Sequence, residues 1–372
     1  MATDDVPRGP ALAAALQTYA GIAVVGATGA VGREALRLLA AAGVPAGRVR
    51  ALASERSTGK PVAYGRDELA VTALDASAFV DGGLALLCAD AATARQVRAL
   101  AADRACTLVD NSSAFRLDAD VPLVVPEVHG RGFAAAQPRL VANPNCAAIM
   151  LCVALEPLRR RFGLDEVVVA TYQAVSGAGL SALAELRAET GRALAGEPPA
   201  PKVFRETCAF NVFSHDSDVD AATGRNVEEQ KLIDETRRIL GLPHLRVSPT
   251  CMRVPVERAH TAAVRVRLAA AAREAEVRAA LANAPSVALV DDRGRNAFPT
   301  PRLAAGRDEV LVGRIRPDAA EEPDADGRSA TWSLLVCGDQ LRKGAATNAL
   351  QIAALLAARG AGPARAEHAS PR

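Results

Sequence analysis

Aromatic residues make up only 3% of this 372-residue chain: 1 Trp, 3 Tyr and 8 Phe. That leaves little to build a base-stacking platform. An excess of one charge is missing too. The 44 Lys and Arg face 42 Asp and Glu, for a formal net charge of +2, so nothing electrostatic points to a nucleic-acid or membrane-surface partner. No apolar run reaches the roughly 20 residues that a bilayer-spanning helix needs. The start, Met1-Ala2-Thr3-Asp4-Asp5, is acidic where an export signal carries positive charge, so none is read. Ala11 to Leu16 is expected to be a frayed or partly helical extension. The 7 cysteines are odd in number and scattered, which fits a reducing cytoplasm better than a disulfide framework. None has the close Cys or His company that a metal site requires, so no metal is expected.

Half the chain is hydrophobic, and its length allows two domains with a large core. Gly21 to Val25 is a short β-branched run, followed by Gly26-Ala27-Thr28-Gly29-Ala30-Val31-Gly32 and helical periodicity from Arg33 to about Ala42. Strand, glycine loop and helix in that order open a doubly wound nucleotide-binding fold. Strands are predicted at Val49–Ala53, Leu84–Cys88 and Thr107–Asp110, with a helix over Ala91–Ala102. This alternation implies a parallel sheet. Beyond Cys146 the texture changes. Helices are predicted over 147–161, 182–195 and 227–240, and strands at 167–171, 263–268, 287–290, 310–315 and 332–336. The strand-rich second half reads as an α+β unit on a mixed or antiparallel sheet. Lys343 to Asn348 runs into a final Ala/Leu helix, and the tail after Gly360 is expected to be disordered.

The candidate chemistry lies in scattered polar islands. Gly26, Gly29 and Gly32 suit a pyrophosphate at a helix N-terminus, with Thr28, Ala30 and Val31 between them. After the second strand, Ser54-Glu55-Arg56-Ser57-Thr58-Gly59-Lys60 offers hydroxyls and two cations for a 2′-phosphate, which favours NADP. Glu55 argues the other way, and a solvated loop is the plain alternative. Cys146 stands at a helix start, where the macrodipole and free N–H groups stabilise a thiolate or an oxyanion. Cys152 falls within the helix as packing. Locally, a nucleophile and a buried structural cysteine are equally good readings of Cys146. Gln173, Ser176 and Gly177 lie in a small-residue loop after a strand, and Arg116 follows another strand end. Glu228 and Lys231 share a helical face, as an ordinary surface pair also would. Arg253 sits in an apolar run and needs an anionic partner. His260 is one of 5 histidines, and taken alone such a histidine is usually structural.

Together these islands resemble the aspartate-β-semialdehyde dehydrogenase family over about Gly21 to Leu356. The likeness is carried in order by GATGAVG, ASERSTGK, DNSSAFR, VPEV, ANPNC, TYQAVSGAG, FNV, EEQK with ETRRIL, RVPVERAH, FPTP, VGRIR and LRKGAATNA. It implies an α/β fold, with a Rossmann-type NADP-binding domain over residues 1–145 plus 344–372. A catalytic and dimerisation α+β domain on a mixed sheet would span 146–343. The implied reaction is NADPH-dependent reductive dephosphorylation of L-aspartyl-4-phosphate to the semialdehyde, in lysine, threonine and methionine biosynthesis. Cys146 would be the nucleophile, His260 the general acid/base, and Gln173 the residue that orients substrate. Arg253 would clamp the substrate carboxylate, Glu228 its amine, and Arg116 with Lys231 the phosphate; Asn145 joins this set. NADP would touch Gly26, Thr28 to Val31, Ser54, Arg56, Ser57, Ser176, Gly177 and Asn348. A cytoplasmic homodimer, or a homotetramer, is the implied assembly.

The family commonly has Gly-His-Ser where this chain has Ala259-His260-Thr261, a change expected to shift the imidazole. It also has asparagine where this chain has His129. N-acetyl-γ-glutamyl-phosphate reductase is the nearest rival, but Glu228 beside Lys231 suits a free substrate amine. Glyceraldehyde-3-phosphate dehydrogenase fits the motif order less well. A non-catalytic dimer partner would have no need of the thiol, base, clamp and phosphate ligands together.

Overall fold

The computed structural model describes residues 6–130 and 132–360; the acidic start and the tail from 361 lie outside them. In chain order the elements are α1 (Gly9–Leu16), β1 (Ile22–Val25), α2 (Ala30–Ala41), β2 (Val49–Ala53), β3 (Pro61–Tyr64), β4 (Asp67–Ala73), β5 (Leu84–Leu87), α3 (Ala91–Leu100), β6 (Thr107–Asp110), α4 (Pro126–His129), β7 (Leu140–Ala142) and α5 (Cys146–Phe162). The second half supplies β8 (Glu166–Gln173), α6 (Leu180–Leu194), β9 (Phe213–Ser214), α7 (Val227–Leu240), β10 (Arg246–Arg253), β11 (His260–Ala272), α8 (Glu274–Ala282), β12 (Val287–Leu289), α9 (Pro301–Ala304), β13 (Val310–Pro317), β14 (Ser329–Gly338) and α10 (Thr347–Gly360).

The first sheet has the order β3-β4-β2-β1-β5-β6-β7. It is parallel except for the β3–β4 hairpin. All four residues of β1 are buried, as a central strand covered on both faces requires. The chain leaves β1 for β2 on one side and returns to β5 on the other. That switch opens a crevice at the C-terminal end of β1, where the glycine loop lies. Leu36 and Leu39 of α2 and Ile352 and Ala353 of α10 pack with Val24 and Leu84 on one face. The other face shares a core with α3, α5 and the second sheet.

The second sheet, β12-β13-β14-β11-β8-β10-β9, is mixed. Helices α5, α7 and α8 cover one face of it. On β8, Val167 and Val169 face this cover, while Val168 and Tyr172 point outward and are exposed. One expectation from the sequence changes here. The extension at 11–16 is an ordered helix: Leu16 is fully buried, and just beyond it Tyr19 Oη donates to Ala353 O at 2.7 Å. Strand β10, which the sequence did not single out, runs through Pro249, and β9 pairs only with its Met252 and Arg253. Pro249 therefore sits on an open edge, where no ladder hydrogen bond is lost.

Register builds the site. Parallel pairing of β8 with β10 sets Gln173 beside Arg253 at their C-terminal ends. Antiparallel β11 begins at the same edge with His260, and Thr261 pairs with Tyr172. Helix α5 points its N-terminus at this edge from the crevice of the first sheet.

Candidate active site

Between the glycine loop and the second sheet lies a cleft of about 680 Å³. Cys146, Gln173, Glu228, Lys231, Arg253, His260, Arg116, Gly29 and Gly177 all line it. Asn145 caps α5: its Oδ1 accepts from Ala147 N (2.9 Å) and Ala148 N (3.2 Å). Cys146 is thereby fixed as the first helical residue. Behind the thiol, residues 342–346 form a π-turn, and a Cβ on Gly344 would stand 3.0 Å from Cys146 Cβ. Glycine there lets the backbone approach closely.

The helix start does not by itself yield a thiolate. Burial pushes the Cys146 thiol up to about 12, and the Glu228 charge adds to this. Arg116, the Ala147 N–H and Arg253 oppose it without prevailing. The chain's own groups therefore hold the thiol protonated, contrary to the activated thiolate expected from sequence. The reason is that desolvation of an anion outweighs half a helix-dipole charge.

His260 is 3% exposed. Burial, helped by Arg253 and His215 and opposed by Glu228, lowers it to about 3, so the ring is neutral at neutral pH. The Ala174 N–H donates to Nδ1 at 2.9 Å. Nδ1 is therefore the acceptor, and the ring's single proton is on Nε2.

Glu228 and Lys231 of α7 line the cleft at i and i+3, and Glu235, at i+7, is buried behind them. Glu228 accepts from Asn145 Nδ2 (2.8 Å) and Gln173 Nε2 (3.1 Å) and lies 3.7 Å from Lys231 Nζ. Burial alone would raise this carboxyl, but His215, Lys231 and the two amides hold it at about 2. Glu235 takes Arg116 Nη1 at 3.1 Å and Asn145 N at 2.5 Å. Arg116 also donates to Asn143 O and Asn111 O. Arg253 is 3% exposed and paired with Asp216.

The glycine loop fits a dinucleotide. Gly26 has φ +80°, and a Cβ there would lie 2.4 Å from Cys88 O; one on Gly32 would lie 2.2 Å from Gly26 O. Gly29, at the N-cap of α2, has no side chain to engage the first-turn N–H groups, which face the cleft as an anion cradle.

Residues 21–136 match the family model described as semialdehyde dehydrogenase, NAD binding domain, and residues 155–343 match semialdehyde dehydrogenase, dimerisation domain. The chain is 42% identical over 339 residues to the aspartate-semialdehyde dehydrogenase of Synechocystis sp., covering 91% of this chain and 98% of that one. It is 41% identical to the enzyme of Aquifex aeolicus, with the same coverage. Among solved structures, aspartate semialdehyde dehydrogenase II from Vibrio cholerae superposes with a TM-score of 0.83 at 37% identity, covering 90% of this chain and 98% of that one. The same enzyme complexed with ASA gives 0.83 at 36%, covering 91% and 98%. This chain belongs to the aspartate-semialdehyde dehydrogenase family.

An aspartate-semialdehyde dehydrogenase thus has a nicotinamide-dinucleotide domain followed by a dimerisation domain, and the expected residues of this chain fall across both. Ala30 and Val31 line the cleft with Gly29, while Thr28, half-buried in the turn before them, does not. Ser54 and Arg56 are exposed and Ser57 half-buried, in the turn after β2. Ser176 lines the cleft, its hydroxyl bound by Glu257 O and Gln340 Nε2. Asn348 is fully buried away from the cleft: Lys343 donates to its Oδ1, and its Nδ2 donates to Val124 O and Asn143 Oδ1. It supports the loop before Cys146. Asn145 is likewise committed to capping and to Glu228. His129 Nδ1 lies 3.0 Å from Val125 O and 3.2 Å from Val125 N, so the ring is tied to the residue that precedes α4. Among the described residues no helix is long and apolar enough to cross a membrane, and no cluster of His, Cys, Asp or Glu suits a metal.

Sequence reasoning missed His215, Asp216, Glu235 and Gly344. Glu235 was within reach, seven residues beyond Glu228 on one helical face. His215 and Asp216 lie between β9 and α7, where no periodicity marks a functional face.

Proposed function

We propose that this chain reduces L-aspartyl-4-phosphate to L-aspartate 4-semialdehyde with NADPH, releasing phosphate, through a thioester on Cys146. One observation supports this above all: the Cys146 thiol, the Nε2–H of His260, the Arg253 guanidinium and the ionised Glu228 share one cleft with the glycine loop. Arg253 and Glu228 carry the charges that match an α-carboxylate and a free α-amine. A free α-ammonium adds a second cation beside Lys231 to the buried Glu228 carboxylate, whereas an acylated amine carries no charge to offer it; this favours aspartyl phosphate over N-acetylglutamyl phosphate.

Arg116 and Lys231 are the phosphate ligands. The Cys146 sulfur bonds to the acyl carbon, the bond from that carbon to the phosphate oxygen breaks, and phosphate leaves with the thiol proton. The nicotinamide, when bound, supplies the hydride that the acyl carbon takes up. The His260 Nε2–H donates to the carbonyl oxygen and stabilises its negative charge. As the C–S bond breaks, the aldehyde leaves and the sulfur takes a proton from solvent, the one proton the net reduction consumes. The neutral imidazole is thus set as a hydrogen-bond donor to the developing oxyanion.

Ser54, Arg56 and Ser57 bind the 2′-phosphate of NADP, and residues 1–145 plus 344–372 form the nucleotide domain, with 146–343 as the catalytic and dimerisation domain. The uncovered sheet face bearing Val168 and Tyr172 meets a second copy in a cytoplasmic homodimer. The test is a spectrophotometric assay of NADP reduction with aspartate semialdehyde and phosphate, run beside N-acetylglutamate semialdehyde and NAD. Turnover of the first substrate is expected. Turnover of only the acetylated one overturns the reading.

A further inference from the structure

Arg253 is held by a strand, and at 3% exposure its charge needs an anion beside it. Within this chain that anion is Asp216. Its Oδ1 accepts from Nε at 3.1 Å and from Nη2 at 2.7 Å, which closes one edge of the guanidinium fork. The rest of the fork is nearly committed. Nη1 donates to Ala174 O at 3.1 Å, Nη2 lies 2.9 Å from His215 Nε2, and the guanidinium stands over the Phe204 ring at 5.4 Å. Of the two partners only Asp216 has freedom. Its side chain is 26% exposed, and it lies in the irregular stretch between β9 and α7.

We propose that Asp216 is an internal stand-in for the substrate α-carboxylate: it neutralises Arg253 from within the chain and yields the Nε/Nη2 edge when an amino-acid carboxylate arrives. The proposal rests on the reading of Arg253 as the substrate clamp. Two carboxylates do not share that edge, because like charges at this separation repel. Exchange of one anion for another never leaves the buried guanidinium uncompensated. Apparent affinity for substrate is that of a released Arg253, reduced by the fraction of time Asp216 holds it. A ligand without a carboxylate provides nothing in exchange, so the pair also selects for α-amino acids. Asp216 is in this sense a positioning residue that acts through Arg253.

The test compares wild type with Asp216→Asn and Asp216→Ala in the oxidative direction. Two aldehydes are used: L-aspartate 4-semialdehyde, and 3-aminopropanal, which keeps the amine and aldehyde but lacks the α-carboxylate. In both variants the KM for the semialdehyde is expected to fall about three- to tenfold, with kcat within about twofold and the KM for 3-aminopropanal unchanged. An unchanged or raised KM for the semialdehyde overturns the proposal. So does an equal shift for both aldehydes, which marks a merely structural role. Failure of wild type to turn over the semialdehyde sinks the reading of Arg253 instead. A measurement independent of variants is the structure of wild type with L-2-aminobutyrate, which has the amine and carboxylate but no aldehyde. Arg253 is expected on the ligand carboxylate with Asp216 turned away; Asp216 still on the Nε/Nη2 edge overturns the proposal.

Discussion

Gly177 lies directly against His260: a Cβ on Gly177 would stand 3.2 Å from Cε1 and 3.3 Å from Nε2 of that ring, and 3.6 Å from Arg253 Nη1. This wall sets where the Nε2–H points. Gly177→Ala leaves the backbone unstrained but pushes the imidazole by a few tenths of an ångström. It is expected to lower kcat by about tenfold or more, since proton transfer is steep in geometry. Thermal unfolding of the same variant should barely move, and a large loss of stability with normal kcat would contradict this account.

The thiol gives a second test. Burial holds Cys146 at about 12, so its alkylation by iodoacetamide is expected to keep rising with pH well beyond the roughly 8.5 of a free cysteine. A plateau near neutral pH would mean that the helix N-terminus prevails over desolvation after all. Cys146→Ala should abolish turnover. Cys152→Ala should retain most of it, because Cys152 is fully buried one and a half turns inside α5 and lines no part of the cleft.

A third concerns the residue before the imidazole. Ala259 has φ +73°, in the left-handed region that glycine adopts freely and alanine does not. Its N–H donates to Gln340 Oε1 at 2.8 Å, which holds the strained turn in place. Glycine would adopt this conformation without strain. Ala259→Gly is expected to stabilise the protein by about 1 kcal/mol, read as a higher urea midpoint with unchanged slope, while kcat stays near wild type. A destabilised variant would show that the Ala259 methyl group contributes more by packing than the turn loses in strain.

These contacts also show what the sequence could and could not disclose. The first sheet was legible because β1, β5 and β6 are short apolar runs set between turn residues. The β3–β4 hairpin was not, since Asp67, Glu68 and other exposed positions dilute its alternation. Cys146, Gln173, Arg253 and His260 stood out by residue type at strand or helix ends. Their convergence depends on the β8–β10 register and on β11 starting at the same edge, and no local pattern encodes either. The state of the thiol was misjudged for a similar reason. A helix start is visible in sequence, but the desolvation that opposes it comes from distant elements.

Glu235 is the next residue to test. It joins Arg116 to the Asn145 N–H, and so ties the proposed phosphate ligand to the cap of the helix that bears Cys146. Glu235→Gln keeps an acceptor but removes the charge. The apparent KM for phosphate is expected to rise on the order of tenfold, equivalent to about 1.4 kcal/mol. The KM for the semialdehyde should change less. Equal rises for both would place Glu235 in general support of α7 rather than in control of Arg116.

Cofactor choice turns on the loop after β2. Arg56 is exposed beside Ser54 and Ser57 at the end of a strand that neighbours β1, and Gly26 N donates to Leu52 O, which ties this loop to the glycine turn. A guanidinium there gains most from a doubly charged phosphate and little from a hydroxyl. Arg56→Ala is therefore expected to raise the KM for NADP by about tenfold and leave the KM for NAD nearly unchanged. The effect should shrink as ionic strength rises, because an exposed ion pair is screened within about 10 Å at 0.1 M salt. If NADP and NAD weaken together, Arg56 supports the loop rather than the 2′-phosphate, and discrimination must come from Lys60 or from the Ser54 and Ser57 hydroxyls.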